Sequence, residues 1–284
     1  MKYFTFLLGL LMLSACSSTT EEAPLQKSCI RVDFGTFQVE VQDMQATSRA
    51  ALGDAATRLS LAVFKSDGTL VEDDIHQQST DDAFRTMELE LYPGSYQLVA
   101  VAHNGAADAD IQSATSVILP GTKVTDTFTK VQDLTVESGK DCSLSMTLAR
   151  ITSAFVLKLV DTPPAHAKEI EVVLNTAGLA PTTLEIDPCT GLASNNWKQT
   201  GKIQIADLAD EHPIYFIGML PNMSATVKAT AYDTSGNVII SHTLNSVSLV
   251  PNRKTIATGT FFKSTGSSTF TLDTAWEDDH NIGY

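Results

Sequence analysis

The stretch "RLSLAVFKSDGTLV" (residues 58–71) decides the fold. Leu59, Leu61 and Val63 recur at every second position, the period of a strand with one buried face rather than of a helix. Asp67-Gly68 then supplies two residues that tolerate positive φ, as a tight hairpin turn requires. Two antiparallel strands are expected on either side of that dipeptide.

The same grammar continues along the chain. "FRTMELELYPGSYQLVAVAH" (residues 84–103) reads as a second strand pair with Pro93-Gly94 at the turn. Upstream, "CIRVDFGTFQVEV" (29–41) places Ile30, Val32 and Phe34 on one face. Strand-like runs at 116–119, 123–131 and 142–148 complete this half. After Arg150, "ITSAFVLKLV" (151–160) is β-rich and is closed by "TPP", because proline cannot continue a ladder. Further runs follow at 169–175, 182–186, 202–205 and 213–217. A hairpin spans 224–244 over residues 233–237, and runs at 255–262 and 269–273 end the pattern. One helical turn is expected, near 165–168. Short strands separated by regular turns describe sandwiches. Leu91-Tyr92-Pro93 precedes the strand at 96–103, and Leu220-Pro221 precedes that at 225–232. This echo points to two related sandwiches, 28–150 and 151–284, with a boundary near Arg150.

The N-terminus carries an address. "MKYFTFLLGLLMLSA" (1–15) has one Lys, then an apolar run too short to span a bilayer, then small residues. "LSAC" (13–16) fits a bacterial lipobox, which implies cleavage before Cys16 and acylation of its thiol. Several acyl chains make a durable anchor where one holds weakly. Residues 16–27 follow as a short polar tether. No later apolar run approaches 18 residues.

Charge and missing motifs narrow the function. The net charge of −14 argues against nucleic acid or anionic lipid as a charge-recognised partner. The six histidines are scattered without an HxH or HExxH arrangement, and no CxxC occurs, so neither a metal site nor a cofactor is expected. Nucleophile-elbow, P-loop and dinucleotide motifs are missing, and the chain is not expected to be an enzyme. "VEDD" (71–74) and "WEDDH" (276–280) read as solvated acidic loops, since neither has calcium-loop spacing. Trp197, in the polar "SNNWKQTG", is either a stacking contact for a ligand or a residue folded back on its own sandwich.

Beyond Cys16 the chain has Cys29, Cys142 and Cys189. Cys29 opens the first strand and Cys142 the last strand of the same half, so the two are candidates for a disulfide. Closing a loop of about 113 residues would stabilise by roughly 4–5 kcal/mol in the chain-entropy model. Cys189, in the turn "DPCTG", would be the odd thiol.

The lipobox, two acidic β-sandwiches, "VFKSDGTLV" and "LYPGSYQLVAVAHNG" together resemble the fimbrillin-type subunits of Bacteroidales fimbriae (type V pili), above all the accessory and anchor subunits. Trp276 near the C-terminus matches a recurrent feature of that group. The resemblance implies an all-β fold of two tandem transthyretin-like, Greek-key sandwiches after a lipoprotein signal and tether. It implies a non-catalytic subunit at the outer membrane and on the fimbrium, acting in adhesion. Its partners would be other fimbrial subunits through strand donation, the membrane through the lipid, and a host or bacterial surface ligand. In polymerising subunits of the group an Arg-specific protease removes the first strand, and the groove left behind accepts a neighbour's strand. "ATSRAALGDAATRL" (46–59) offers Arg49 and Arg58 as candidate cut sites. A bridge from Cys29 to Cys142 would prevent release of that strand, so bridge and cleavage compete. The alternative reading is a surface glycan-binding lipoprotein of a nutrient-uptake system, which exposed aromatics on one face would favour.

Overall fold

The computed structural model describes residues 25–34, 56–175, 183–194, 198–208, 213–220, 223–263 and 270–273. The first half forms β1 (Ser28–Phe34), β2 (Arg58–Lys65), β3 (Leu70–Gln78), β4 (Thr86–Leu91), β5 (Gly94–His103), β6 (Asp110–Ser113), β7 (Ser116–Leu119), β8 (Thr127–Val136), β9 (Cys142–Met146) and β10 (Ala149–Arg150). The second half forms β11 (Thr152–Leu159), β12 (Ala167–Asn175), β13 (Leu184–Asp187), β14 (Leu192–Ala193), β15 (Gln199–Gln204), β16 (Ile214–Ile217), β17 (Ala225–Asp233), β18 (Val238–Val247), β19 (Lys254–Gly259) and β20 (Phe270–Asp273).

The hairpins form as their turn residues dictate. Gly68 adopts φ 85°, and the Asp67 carboxylate accepts the Thr69 N–H at 2.9 Å. Asp233 does the same for Ser235 and Asn237, both at 2.8 Å, with Gly236 at φ 84°. The turn expected near 165–168 is not helical. Ala165 and His166 instead form one tight turn after Pro163-Pro164, closed by the Ala167 N–H on the Pro164 carbonyl at 2.9 Å, and the helical turn among the described residues is a 3-10 turn at Ile205–Asp207. Residues 71–74 lie in edge strand β3 rather than in a loop. The eighth strand starts at Thr127, not Lys123.

Two sandwiches result, and they share one topology. In the first, sheet β4-β1-β9 faces sheet β10-β8-β5-β2-β3 around Ile30, Val32, Leu61, Leu98, Phe128 and Met146. In the second, β16-β11-β19-β20 faces β15-β12-β17-β18 around Phe155, Val172, Phe216, Val227 and Phe261. In each, the first strand runs antiparallel to one neighbour and parallel to the other: β1 with β4 and β9, β11 with β16 and β19. The echo in the sequence is therefore a repeat of connectivity.

Each half also contributes an insert, which the alternation pattern did not reveal. β6-β7 leaves the first half, β13-β14 leaves the second, and β7 pairs with β13 to make a fifth sheet, β14-β13-β7-β6. It covers the outer face of the larger sheet through a third core of Phe64, Val99, Val101, Val117, Leu184 and Ile186. At the same junction the Arg150 guanidinium grips the Asp126 carboxylate at 2.8 and 2.9 Å, donates to Asn252 at 3.2 Å, and lies 5.0 Å from the Phe128 ring centre. Thr152 adds a bond to Asp126 at 2.9 Å. Burial pushes the Asp126 carboxyl up, against the pull of Arg150.

Candidate anchoring and assembly site

The first strand is where retention and processing would differ, so its seat is the site of interest. β1 occupies the middle of its sheet, in register from Ser28 opposite Leu91 to Asp33 opposite Thr86, and from Ile30 beside Cys142 to Phe34 beside Met146. Ile30 and Val32 are fully buried and Phe34 is 2 % exposed. At about 1.5–3 kcal/mol for each such side chain, loss of the strand would remove roughly 5–9 kcal/mol of apolar burial. Both flanking ladders would go as well. Against the roughly 5–15 kcal/mol that holds a typical domain, that loss takes most or all of the stability unless another strand replaces β1.

The strand is also latched where it begins. The buried Ser28 hydroxyl donates to the Glu137 carbonyl at 2.7 Å, and the Cys29 N–H donates to Asp141 at 2.8 Å. Lys27 reaches Glu90 at 3.8 Å and sits 5.4 Å from the Tyr92 ring centre. On the outer face Arg31 pairs with Glu88 at 3.7 Å, and Thr86 donates to Asp33 at 2.9 Å.

The candidate disulfide is not formed; Cys29, Cys142 and Cys189 are free thiols. The two strands are neighbours, as the spacing implied, but β1 and β9 are parallel with Ile30 beside Cys142. Cys142 therefore shares the core face with Ile30, while Cys29 points to solvent on the other face. Partial desolvation, then Glu88, Asp141 and Glu90, push the Cys29 thiol up. Cys189 sits in the turn between β13 and β14, its N–H on Asp187 at 2.8 Å and its sulfur 3.6 Å from the Ala114 carbonyl across the fifth sheet.

Arg58, one of two candidate cut sites, opens β2 in the interior of its sheet, between His103 and Gln78. Its guanidinium donates to the Gly105 carbonyl at 3.0 Å, to Asp108 at 2.6 Å and to the Ala106 carbonyl at 2.9 Å. A protease that must draw an arginine side chain into its own pocket finds this one already bound. Arg49, Cys16 and Trp197 lie outside the described residues, as do 276–280.

Comparison with known proteins fits this geometry. The family profile described as fimbrillin-A associated anchor proteins Mfa1 and Mfa2 matches residues 26–174, just over half of the chain. The chain belongs to this family. The match runs from the tether through β12, and so contains the whole first sandwich and its latch. No curated protein matches the sequence. Among solved structures, a Bacteroides thetaiotaomicron protein provisionally assigned to polysaccharide binding aligns over 87 % of this chain and 96 % of its own, at 12 % identity and a TM-score of 0.53. The fimbrial anchor protein Mfa2 from Porphyromonas gingivalis covers 87 % and 97 %, at 11 % identity and 0.49. A fimbrial assembly protein from Parabacteroides distasonis covers 87 % and 95 %, at 11 % and 0.46. At such identities the first of these likenesses speaks for the all-β fold alone. The family places this anchor-type protein among the accessory subunits of a surface fimbrium.

Proposed function

We propose that this member of the anchor family is a non-catalytic accessory subunit that holds a fimbrium to the outer membrane through acylated Cys16 and keeps its own first strand. The match to the anchor family carries the reading, and the seat of β1 is compatible with it. The strand sits between two partners, buries Ile30, Val32 and Phe34, and is latched to residues 137–141 without a disulfide. In a strand-accepting subunit that groove must be vacated by cleavage; here the chain fills it itself. An uncleaved shaft subunit would fill its groove in the same way, so the match to the anchor family favours the end of a fimbrium over its shaft, and the seat of β1 adds what would resist release of the strand and of any lipid on Cys16. Strand exchange with this subunit would then use an edge elsewhere on the molecule. The tethered Arg58 side chain supports Arg49 as the bond where any processing would fall.

The glycan-binding alternative needs an aromatic platform. Among the described residues the large aromatic most open to solvent is Tyr92, whose ring lies beside the Lys27 ammonium. The deciding measurement is the N-terminus of the protein in isolated fimbriae. An acylated Cys16 is expected; a chain starting at Ala50 would overturn the anchor reading.

A further inference from the structure

The first sandwich has one free end. Its other end is taken up by the junction, where β10 joins β8 and the Ile151 N–H bonds the Thr127 carbonyl at 3.0 Å. Four connections gather at the free end. The chain enters β1 at Ser28, opposite Leu91, and β4 passes into β5 through Tyr92 and Pro93. β8 ends at Val136, opposite Gly94, and leads through residues 137–141 into β9. The turn between β2 and β3 follows Lys65, opposite Tyr96. The entering chain is tied to this end, because the Gln26 N–H donates to the Ser138 hydroxyl at 3.4 Å.

Apolar side chains are open to solvent at this end. Of the seven large hydrophobic side chains exposed among the described residues, three are here: Leu25 at 66 %, Tyr92 at 54 % and Leu70 at 44 %. Leu25 precedes β1, Tyr92 lies in the adjoining turn, and Leu70 opens β3 on the other sheet. Tyr92 is held in place. Its carbonyl accepts the Tyr96 hydroxyl at 2.7 Å, and Pro93 fixes the backbone after it. The Lys27 ammonium lies 5.4 Å from its ring centre. An aromatic ring with a polar tip beside a long-stemmed lysine is the side-chain chemistry of a membrane–water interface. Charge at this end is balanced. Lys27, Lys65 and Lys140 stand against Asp67, Glu137 and Asp141. Lys140 pairs with Glu137, and the two aspartates accept backbone N–H groups. The net charge of −14 is therefore carried by the rest of the chain.

We propose that this end of the first sandwich lies against the lipid surface, with Leu25 and Tyr92 at the level of the headgroups and Leu70 beside them. The inference rests on the anchor reading above, through acylated Cys16. The tether selects lipid as the occupant. Nine residues lead from Cys16 to Leu25 and span at most about 32 Å, so the bilayer is always within reach of this end. The ten residues of β5 set the junction, and the second sandwich behind it, about 33 Å further away. A contact made by an already tethered molecule needs little affinity of its own, so three exposed side chains suffice. The contact is apolar and aromatic rather than ionic, as an acidic chain requires.

The test uses the full-length protein, purified in detergent from the bacterium that produces it and reconstituted into vesicles of neutral phosphatidylcholine. A photoreactive benzophenone side chain is placed at position 92 or, as the control, at position 238, which is equally exposed but lies at the far end of the second sandwich. Illumination is expected to add the mass of a phosphatidylcholine at position 92 and not at 238. Leu25→Asp is expected to lower the yield at position 92 about fivefold, because it removes an apolar side chain from the same contact. Leu25 is exposed, so the fold tolerates the change. Protein that floats with the vesicles but gives no adduct at 92, equal adducts at 92 and 238, or an undiminished yield with Leu25→Asp would overturn the surface contact and leave the anchor reading standing. Protein that carries no acyl chain on Cys16 and does not float would overturn the anchor reading, and the surface contact with it.

Discussion

His103 makes the first sandwich acid-sensitive by a calculable amount. It ends β5, is 1 % exposed, and sits between Arg58 on β2 and Thr127 on β8. Its Nδ1 accepts the Gly105 N–H at 2.8 Å, so the ring is neutral with its proton on Nε2, and Nε2 has no hydrogen-bond partner among the described residues. The loop closes so tightly over the ring that a Cβ on Gly105 would fall 2.7 Å from Nδ1. Protonation would set two N–H donors against each other beside the Arg58 guanidinium. Burial first, and then Arg58 and His76, lower the His103 pKa from 6.5 to about 4, with Asp108 opposing them.

The sign follows from where protons bind. The unfolded chain takes up a proton near pH 6.5 and the folded chain only near 4. Stability from this residue is complete above pH 7, falls as the pH drops through that window, and is flat below it. At about 1.4 kcal/mol per pKa unit, the loss is roughly 2 kcal/mol at pH 5 and about 3.4 kcal/mol at its limit. Urea unfolding of the soluble chain from residue 17, at half-unit steps between pH 7.5 and 4.5, would read it. His103→Gln cannot titrate, so its stability should fall by about 2 kcal/mol less than that of the parent between pH 7 and 5. The comparison of slopes survives any overall cost of the substitution. Parallel pH profiles for parent and variant would refute the reasoning.

Other outcomes follow from the junction, from Asp161 and from the thiols. Asp126→Ala should cost about 3–5 kcal/mol in chemical denaturation, because it leaves the Arg150 guanidinium buried without its carboxylate. Burial alone would raise the Asp161 carboxyl, but the N–H groups of Phe261, Phe262 and Lys263 hold it below the usual range. Asp161→Ala should therefore lower stability by about 1–3 kcal/mol and speed amide exchange at those three positions. Non-reducing peptide mapping of the denatured protein should find Cys29, Cys142 and Cys189 all free; a Cys29–Cys142 peptide would contradict the facing of β1 and β9. An Arg-specific protease acting on the folded protein should spare the bond after Arg58 until global unfolding.

Local chemistry was legible in the sequence and long-range pairing was not. The Asp67-Gly68 and 233–237 turns, the Pro93-Gly94 turn and the alternation of β1 follow from φ preferences and a period of two, which act within a few residues. Of the insert strands, β7 and β13 match the runs at 116–119 and 182–186, whereas β6, β14 and the pairing of the two inserts into one sheet did not show. β10 and β14 have two residues each, and β13 gains its place by pairing with β7, some 65 residues earlier in the chain. The Cys29–Cys142 expectation failed for a similar reason. Adjacency of two strands could be guessed, but whether the thiols share a face depends on a register offset of one residue, and each single step reverses a side chain. Nothing near Arg58 in the sequence shows that its side chain is held, because Gly105, Ala106 and Asp108, which bind it, lie almost fifty residues away.

Those same contacts bear on how this subunit would meet an Arg-specific protease. An arginine at the start of an inner strand is bound three times over by the loop that follows β5, and cutting after it would break the ladders from β2 to both β3 and β5. A cut further upstream would not by itself free β1, because the strand remains held by β4, β9 and residues 137–141. Release then requires a competing strand able to replace Ile30, Val32 and Phe34 in the core. The barrier to releasing the segment before β2 lies as much in the packing of β1 as in the protection of any peptide bond. Weakening the latch, with Ser28→Ala and Asp141→Ala together, should loosen the strand without removing an apolar contact. It should raise amide exchange in β1 well above that in β5, whereas equal rises in both strands would show that β1 opens only with the whole domain.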